Sequence, residues 1–192
     1  MITAERVVEA ITPVLDDMVR LSERVRVVGT ASSALRGIDL PVADVDILAR
    51  DRNAVDELAA ASGSRPATLV ETPFGQQYLA DHQLAGVPVQ FSTVESRNTG
   101  RERVAECVGE TPWRYFSVVE VAGRSVPVVA SELRLASDLM RGREDHWRPI
   151  AAHLVITGFD PELLSRAVVG FPQALLDELR RALGVDQVAR SG

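Results

Sequence analysis

The chain has 192 residues, 46% hydrophobic and 25% charged. A chain this long buries roughly 70% of its unfolded surface and needs no disulfide or zinc staple. The net charge of −6 argues against extended nucleic-acid binding, which rests on Lys and Arg meeting phosphates, and a single cysteine, Cys107, excludes an internal disulfide and disfavours a cysteine zinc site.

All 21 basic residues are arginine, so any basic side chain that meets a phosphate is an Arg. Residues 1–14 carry acidic groups and no apolar stretch flanked by bases, and there is no run of about 18 apolar residues. The expectation is a cytoplasmic chain without a membrane span.

Residues 3–21 predict a helix. Thr3 is its candidate N-cap, Val7, Val8, Ile11, Val14, Leu15 and Met18 recur at helical spacing, and Pro13 kinks it. Residues 25–28 read as a short apolar strand ended by Gly29. Residues 32–36 read as the first turns of a helix stopped by Gly37, and 42–48 as the next strand. Asp51 caps a helix over 53–61. From Ala67 the pattern turns to strands, at 68–71, 77–84 and 87–93, the last two joined by an Ala85-Gly86 turn. A looser stretch, 95–112, precedes a second hairpin, 115–121 and 125–129, around Ala122-Gly123. The remainder predicts helices at 131–141 and 145–157, a third opened by Asp160-Pro161-Glu162, and a last one over 173–183 after Pro172.

This pattern implies an α+β fold, a mixed β-sheet flanked by helices. A core over residues 1–130 is followed by a C-terminal helical segment, 131–192, packed on it.

The chemistry concentrates in Val27-Val28-Gly29-Thr30-Ala31-Ser32-Ser33, followed by Asp44-Val45-Asp46-Ile47. A strand ends in glycine, a hydroxyl-rich turn opens a helix, and the next strand carries two carboxylates two residues apart. Period-two alternation puts both on one face. Like charges on a strand that otherwise reads as central are costly unless paired or ligated. Mg²⁺ is a suitable counterion, because it takes one or two protein carboxylates and fills its other positions with water and phosphate oxygens. The glycine turn lets a phosphate approach the backbone, and the hydroxyls and helix N-terminus donate to it. A lone D-x-D is more often solvated surface, so the weight lies on the ordered combination.

That segment resembles the signature of the nucleotidyltransferases of the polymerase-beta superfamily: an apolar residue, Gly, Gly or Ser, then D-h-D after about ten residues. Gly29-Thr30 stands where Gly-Ser is usual. With Ser32-Ser33-Ala34-Leu35-Arg36-Gly37, and later Val126-Pro127-Val128-Val129, Ser131-Glu132-Leu133 and Arg141-Gly142-Arg143-Glu144-Asp145, the likeness runs over residues 25–153. It is similar to small bacterial and archaeal nucleotidyltransferase-domain proteins.

The resemblance implies a nucleotidyltransferase fold and an NMP transfer from an NTP to an acceptor that the sequence does not name. It implies Mg²⁺ (or Mn²⁺) on Asp44 and Asp46, and nucleotide contacts from Gly29, Thr30, Ser32, Ser33 and Arg36. It also implies a third carboxylate on a neighbouring strand, and the matching position is Gln90. An amide can ligate Mg²⁺ through oxygen but cannot act as a general base. Glu95 lies five residues on. The family's basic residue near the phosphates has Arg134, Arg141 and Arg143 as candidates, each first read as a surface charge.

Gln90 therefore supports an alternative: a catalytically impaired relative that binds a nucleotide or a protein partner, as in a toxin–antitoxin-like pair. Self-association is left open. His82, His146 and His153 show no tight metal spacing, Cys107 lacks an activating neighbour beyond Arg103, and Trp113, Tyr115 and Phe116 either pack the second hairpin or stack on a base.

Overall fold

The computed structural model describes residues 2–72, 75–94, 106–107 and 109–185. Helix α1 (Ala4–Ile11) starts at Thr3, whose Oγ1 accepts the Arg6 N–H. Pro13 has no N–H to continue the ladder, so the chain tightens into a 3₁₀ turn, Thr12–Val14, before α2 (Leu15–Arg20). Strand β1 (Val25–Val28) runs directly into α3 (Gly29–Ala34), earlier than the expected start at 32. Strand β2 (Val45–Ala49) is shorter at its start than the expected 42–48, because Val42 bridges to Ile2 instead. Helix α4 (Arg52–Ser62) is capped by Asp51, which accepts the Ala54 N–H at 3.0 Å.

Strands β3 (Thr68–Thr72), β4 (Gly75–Leu84) and β5 (Val87–Val94) form the meander that the alternation predicts. Ala85 and Gly86 both have positive φ, 49° and 75°, as the tight hairpin between β4 and β5 requires. Within the expected loose stretch, residues 111–114 form a short helix, α5 (Thr111–Arg114). Glu95, Arg103 and the rest of 95–105 lie outside the described residues. The second hairpin is β6 (Phe116–Val121) and β7 (Arg124–Val129), followed by α6 (Ser131–Met140), α7 (Glu144–Thr157), α8 (Pro161–Ala167) and α9 (Gln173–Leu183).

The strands form one mixed sheet in the order β3-β4-β5-β2-β1-β7-β6, so β2 is central. One face buries Val25, Val27, Val45, Ile47, Val89, Phe91 and Val128 under α1, α2 and α4. On the other face Val28, Leu48 and Val129 pack with Leu133, Trp147, Ile150 and Leu154 of the C-terminal helices. That second cover does not extend over the whole face, and the side chains of Asp46, Gln90 and Asp81 remain outside both cores. Arg26 is the exception within β1. It is buried, donates to the carbonyls of Val25 (2.6 Å) and Pro112 (3.2 Å), and lies under the Phe116 ring at 3.8 Å and the Trp113 ring at 5.3 Å. Burial lowers its pKa to about 10, still far above neutrality. Among the described residues, no helix is long and apolar enough to cross a membrane.

Candidate functional site

Asp46 is the second residue of the central strand, with Val28 of β1 opposite it on one side and Gln90 of β5 on the other. Asp44 sits just before the strand, exposed, and two residues away, so alternation points it to the same face. Asp46 is half-buried, and its pKa is pushed up to about 6. Burial is the main cause, followed by the charges of Asp44 and Glu106, with Arg134 and Arg141 pulling the other way. Among the described residues neither Asp44 nor Asp46 forms a salt bridge.

The turn that faces Asp46 has to be glycine for two reasons. Gly29 has φ +64°, a conformation that L side chains resist. A β-carbon there would also lie 2.8 Å from Asp46 Oδ2. The absent side chain is what lets the backbone at the start of α3 lie against the carboxylate. Thr30, Ser32 and Ser33 are all buried. Ser32 Oγ donates to the Gly29 carbonyl at 2.7 Å and so holds the turn from inside.

The arginines fall into different places. The Arg36 guanidinium donates to the carbonyls of Ser32, Val128 and Val129 and to Ser117 Oγ. Its donors brace α3 against β7. Arg134, expected as a surface charge, is 2% exposed. It binds Asp138 through Nε at 2.8 Å and through Nη2, and Glu106 through Nη1. The correction has a local cause: α6 lies between the sheet and α7, so the face that carries Arg134 points inward. Exposed Arg143 contacts His146 Nε2 at 2.8 Å. Exposed Arg141 is one of the charges that favour ionised Asp46 and ionised Glu106.

Beyond Gln90, the open face continues into β4. Asp81 is the register partner of Gln90, and Gln90 Nε2 donates to Asp81 Oδ1 at 2.9 Å. Asp44, Arg65, Asp81, Gln83 and Gln90 line a cleft of about 710 Å³ on this side, with His82 at its margin. Among the described residues, no three of His, Cys, Asp and Glu converge as a metal site. His146 is buried with Nδ1 unpartnered, and burial lowers its pKa. Burial pushes the Cys107 thiol up, with Glu106 and Asp46 adding to it. That is the opposite of an activated thiolate. Trp113 and Phe116 stack on Arg26, and Tyr115 receives a hydrogen bond from Arg166 at 3.3 Å.

Sequence reasoning missed Glu106. It lies outside any regular element, 4% exposed, with Oε2 lacking a hydrogen-bond partner. Nothing in the local pattern marks it. The Arg134–Asp138 pair did carry a signal, since the two residues are four apart on a helix.

Comparison with solved structures agrees with this arrangement. A Thermotoga maritima protein described as a candidate nucleotidyltransferase superposes with a TM-score of 0.50 at 21% identity, over 68% of this chain and 83% of its own. The chain has the nucleotidyltransferase fold. The antibiotic-resistance factor ANT(2'')-Ia, solved in solution, aligns over 94% of this chain and 95% of its own at 15% identity, with a TM-score of 0.43. No family model and no curated protein matches the sequence. In this nucleotidyltransferase fold, Asp46 lies in the central strand beside the glycine turn that opens α3, and Asp44 lies just before that strand.

Proposed function

We propose that the chain is a Mg²⁺-dependent nucleotidyltransferase that moves a nucleoside monophosphate from an NTP to an acceptor. The observation that carries the reading is the pair Asp44 and Asp46, with Asp46 against Gly29 and neither carboxylate in a salt bridge among the described residues. The donor set suits the ion: two carboxylates on one face and an amide beside them, with room for water and phosphate oxygens. Asp44 and Asp46, with the Gln90 amide beside them, would hold the ion, which would supply charge neutralisation for the triphosphate and a lowered pKa for the acceptor oxygen.

The chain's own residues divide the remaining work. Asp44 and Asp46 hold the cation. The phosphates approach the backbone where Gly29 leaves room beside Asp46, and Ser32 and Arg36 fix the shape of that turn from behind. Arg141 supplies positive charge on the same side. The acceptor enters the cleft beside Asp44 and Gln90. Its oxygen forms a bond to the α-phosphorus as the bond to the bridging oxygen breaks, and pyrophosphate leaves. Gln90 has no basic lone pair to take the acceptor's proton, so that proton passes to solvent water. Loss of a general base costs roughly 10²–10⁴-fold, so the wild type is a slow enzyme on this reading.

The test is transfer of label from each α-labelled NTP with Mg²⁺ or Mn²⁺, offered to cell extract. Transfer disappears in Asp46→Ala, and Gln90→Glu accelerates it. Label transfer by wild type that persists in Asp46→Ala sinks the reading. Nucleotide binding without transfer favours the second one, a nucleotide-binding module that has kept the fold. The neutral Gln90 is the observation in its favour.

A further inference from the structure

Asp46, Gln90 and Asp81 form a row across three adjacent strands. Asp46 is the register partner of Gln90 in the parallel pair β2–β5, and Gln90 is the partner of Asp81 in the antiparallel pair β5–β4. Direct partners project to the same face at neighbouring positions. Gln90 therefore stands between two carboxylates, with the Asp44–Asp46 pair on one side and Asp81 on the other.

An amide in that place has two orientations with opposite consequences. With oxygen toward Asp46 it is a neutral ligand for a cation. With nitrogen toward Asp46 it presents N–H dipoles to the cation and opposes binding. Ionised Asp81 is an acceptor only, so it takes the NH₂ end of Gln90, as the 2.9 Å contact from Nε2 to Oδ1 shows. Oxygen and nitrogen lie on opposite sides of the planar amide, so this bond turns Oε1 away from Asp81. Asp81 itself is two strand spacings from Asp46, roughly 9–10 Å, too far to share an ion of that size directly.

We infer that Asp81 is a positioning residue that orients the Gln90 amide so that its oxygen faces the cation site at Asp44 and Asp46. This role rests on the metal-dependent reading proposed above. It also explains how a neutral side chain can stand at the third-ligand position: the charge sits one strand further out and acts through the amide.

The experiment is Mn²⁺ titration of the whole, initially metal-free protein, read by electron paramagnetic resonance. Wild type is compared with Asp44→Asn, Asp81→Ala, Gln90→Ala, the Asp81→Ala/Gln90→Ala pair and the swap Asp81→Asn/Gln90→Glu. Removing an orienting partner typically weakens metal binding at least tenfold, so Asp81→Ala is expected to lose about tenfold. The same change in the Gln90→Ala background is expected to lose much less, because its target is gone. The swap keeps the net charge, reverses the hydrogen bond and places the carboxylate on the metal side, so it binds Mn²⁺ more tightly than wild type.

Equal losses from Asp81→Ala in both backgrounds would mean a long-range charge effect and overturn the role, as would no loss in either. A swap no tighter than wild type also counts against it. Failure of the underlying reading looks different: Asp44→Asn then binds Mn²⁺ as wild type does, or wild type binds none, and this role falls with it. A metal-free readout separates the two further. A nuclear magnetic resonance spectrum of the Gln90 side-chain amide shows one hydrogen-bonded proton in wild type that moves upfield in Asp81→Ala. An unchanged spectrum overturns the orientation whatever the metal does.

Discussion

Two groups of carboxylates influence one another around Gly29, and they meet the cost of burial in opposite ways. Glu106 and Asp138 are 4% and 0% exposed, and both are bound by the guanidinium of Arg134. Burial raises the pKa of Glu106 against the pull of Arg134. Burial also works against the Arg134 charge, yet Glu106 and Asp138 outweigh it and its pKa rises. Among the described residues Asp44 and Asp46 have no such partner, and burial, with the Asp44 charge adding to it, pushes the Asp46 pKa up to about 6. Among the described residues an arginine is bound to the first cluster, whereas Arg134 and Arg141 act on Asp46 only through their charge and without a salt bridge. The first cluster is a structural joint between α6 and the segment before α5. The second is the cation site of the function proposed above.

The largest expected effect is on the closed cluster. Arg134→Met leaves two buried carboxylates without their cation, and breaking a buried pair from one side costs about 3–5 kcal/mol. Urea denaturation of the metal-free protein measures it. A loss below about 1 kcal/mol would mean that the cluster is solvated and that the contrast with Asp44 and Asp46 is false.

The open cluster is expected to behave with the opposite sign. In metal-free protein at pH 8, Asp46→Asn raises stability, by at most about 3 kcal/mol for a carboxyl moved from its ordinary 3.8 to about 6. The sign follows from proton counting. Between about pH 4 and 6 the unfolded carboxyl is ionised while the folded one keeps its proton, so the native state binds more protons. The contribution of Asp46 to stability therefore falls as pH rises through that window. Asp46→Asn lacks that slope. Added Mg²⁺ reverses the ranking, because it stabilises only the chain that binds it. A variant less stable than wild type without metal would show that Asp46 has a structural partner after all.

Much of this contrast was legible in the sequence, and the illegible part has a common cause. The resemblance set Gln90, on Val87-Pro88-Val89-Gln90-Phe91-Ser92, at the third-carboxylate position of a strand beside Asp46, and the register pairs the two residues. Thr3, Asp51 and Asp160 act as the caps their positions predicted, because a cap is a contact within three residues. Strand 42–48 lost its first residues to a contact that no local pattern contains, the bridge from Val42 to Ile2, forty positions away. Arg134 read as surface for the same reason. Its partner Asp138 is four residues off, but Glu106, which makes it a buried joint, is 28 positions away. Residues 25–28 read as a short apolar strand, and the partners that bury its Arg26, which are Pro112, Trp113 and Phe116, arrive from beyond residue 110. Local periodicity finds faces and caps; it does not find which distant charge lands on which.

The smallest effect sharpens the comparison at the residue between the clusters. Gly29→Ala carries about 1–2 kcal/mol of left-handed backbone strain in any surroundings. It also sets a β-carbon 2.8 Å from Asp46 Oδ2, so the carboxyl group has to rotate away. Strain and contact separate in a double-mutant cycle with Asp46→Ala, which deletes the carboxyl but not the φ of +64°. The strain remains in the pair and the contact does not, leaving a coupling of about 1 kcal/mol between the two changes. The same cycle with Arg134→Met should show a smaller coupling, because Arg134 reaches the turn only through Glu106. Coupling to Arg134 as large as that to Asp46 would merge the two clusters into one network. The division between a structural joint and an open site would then have to be abandoned.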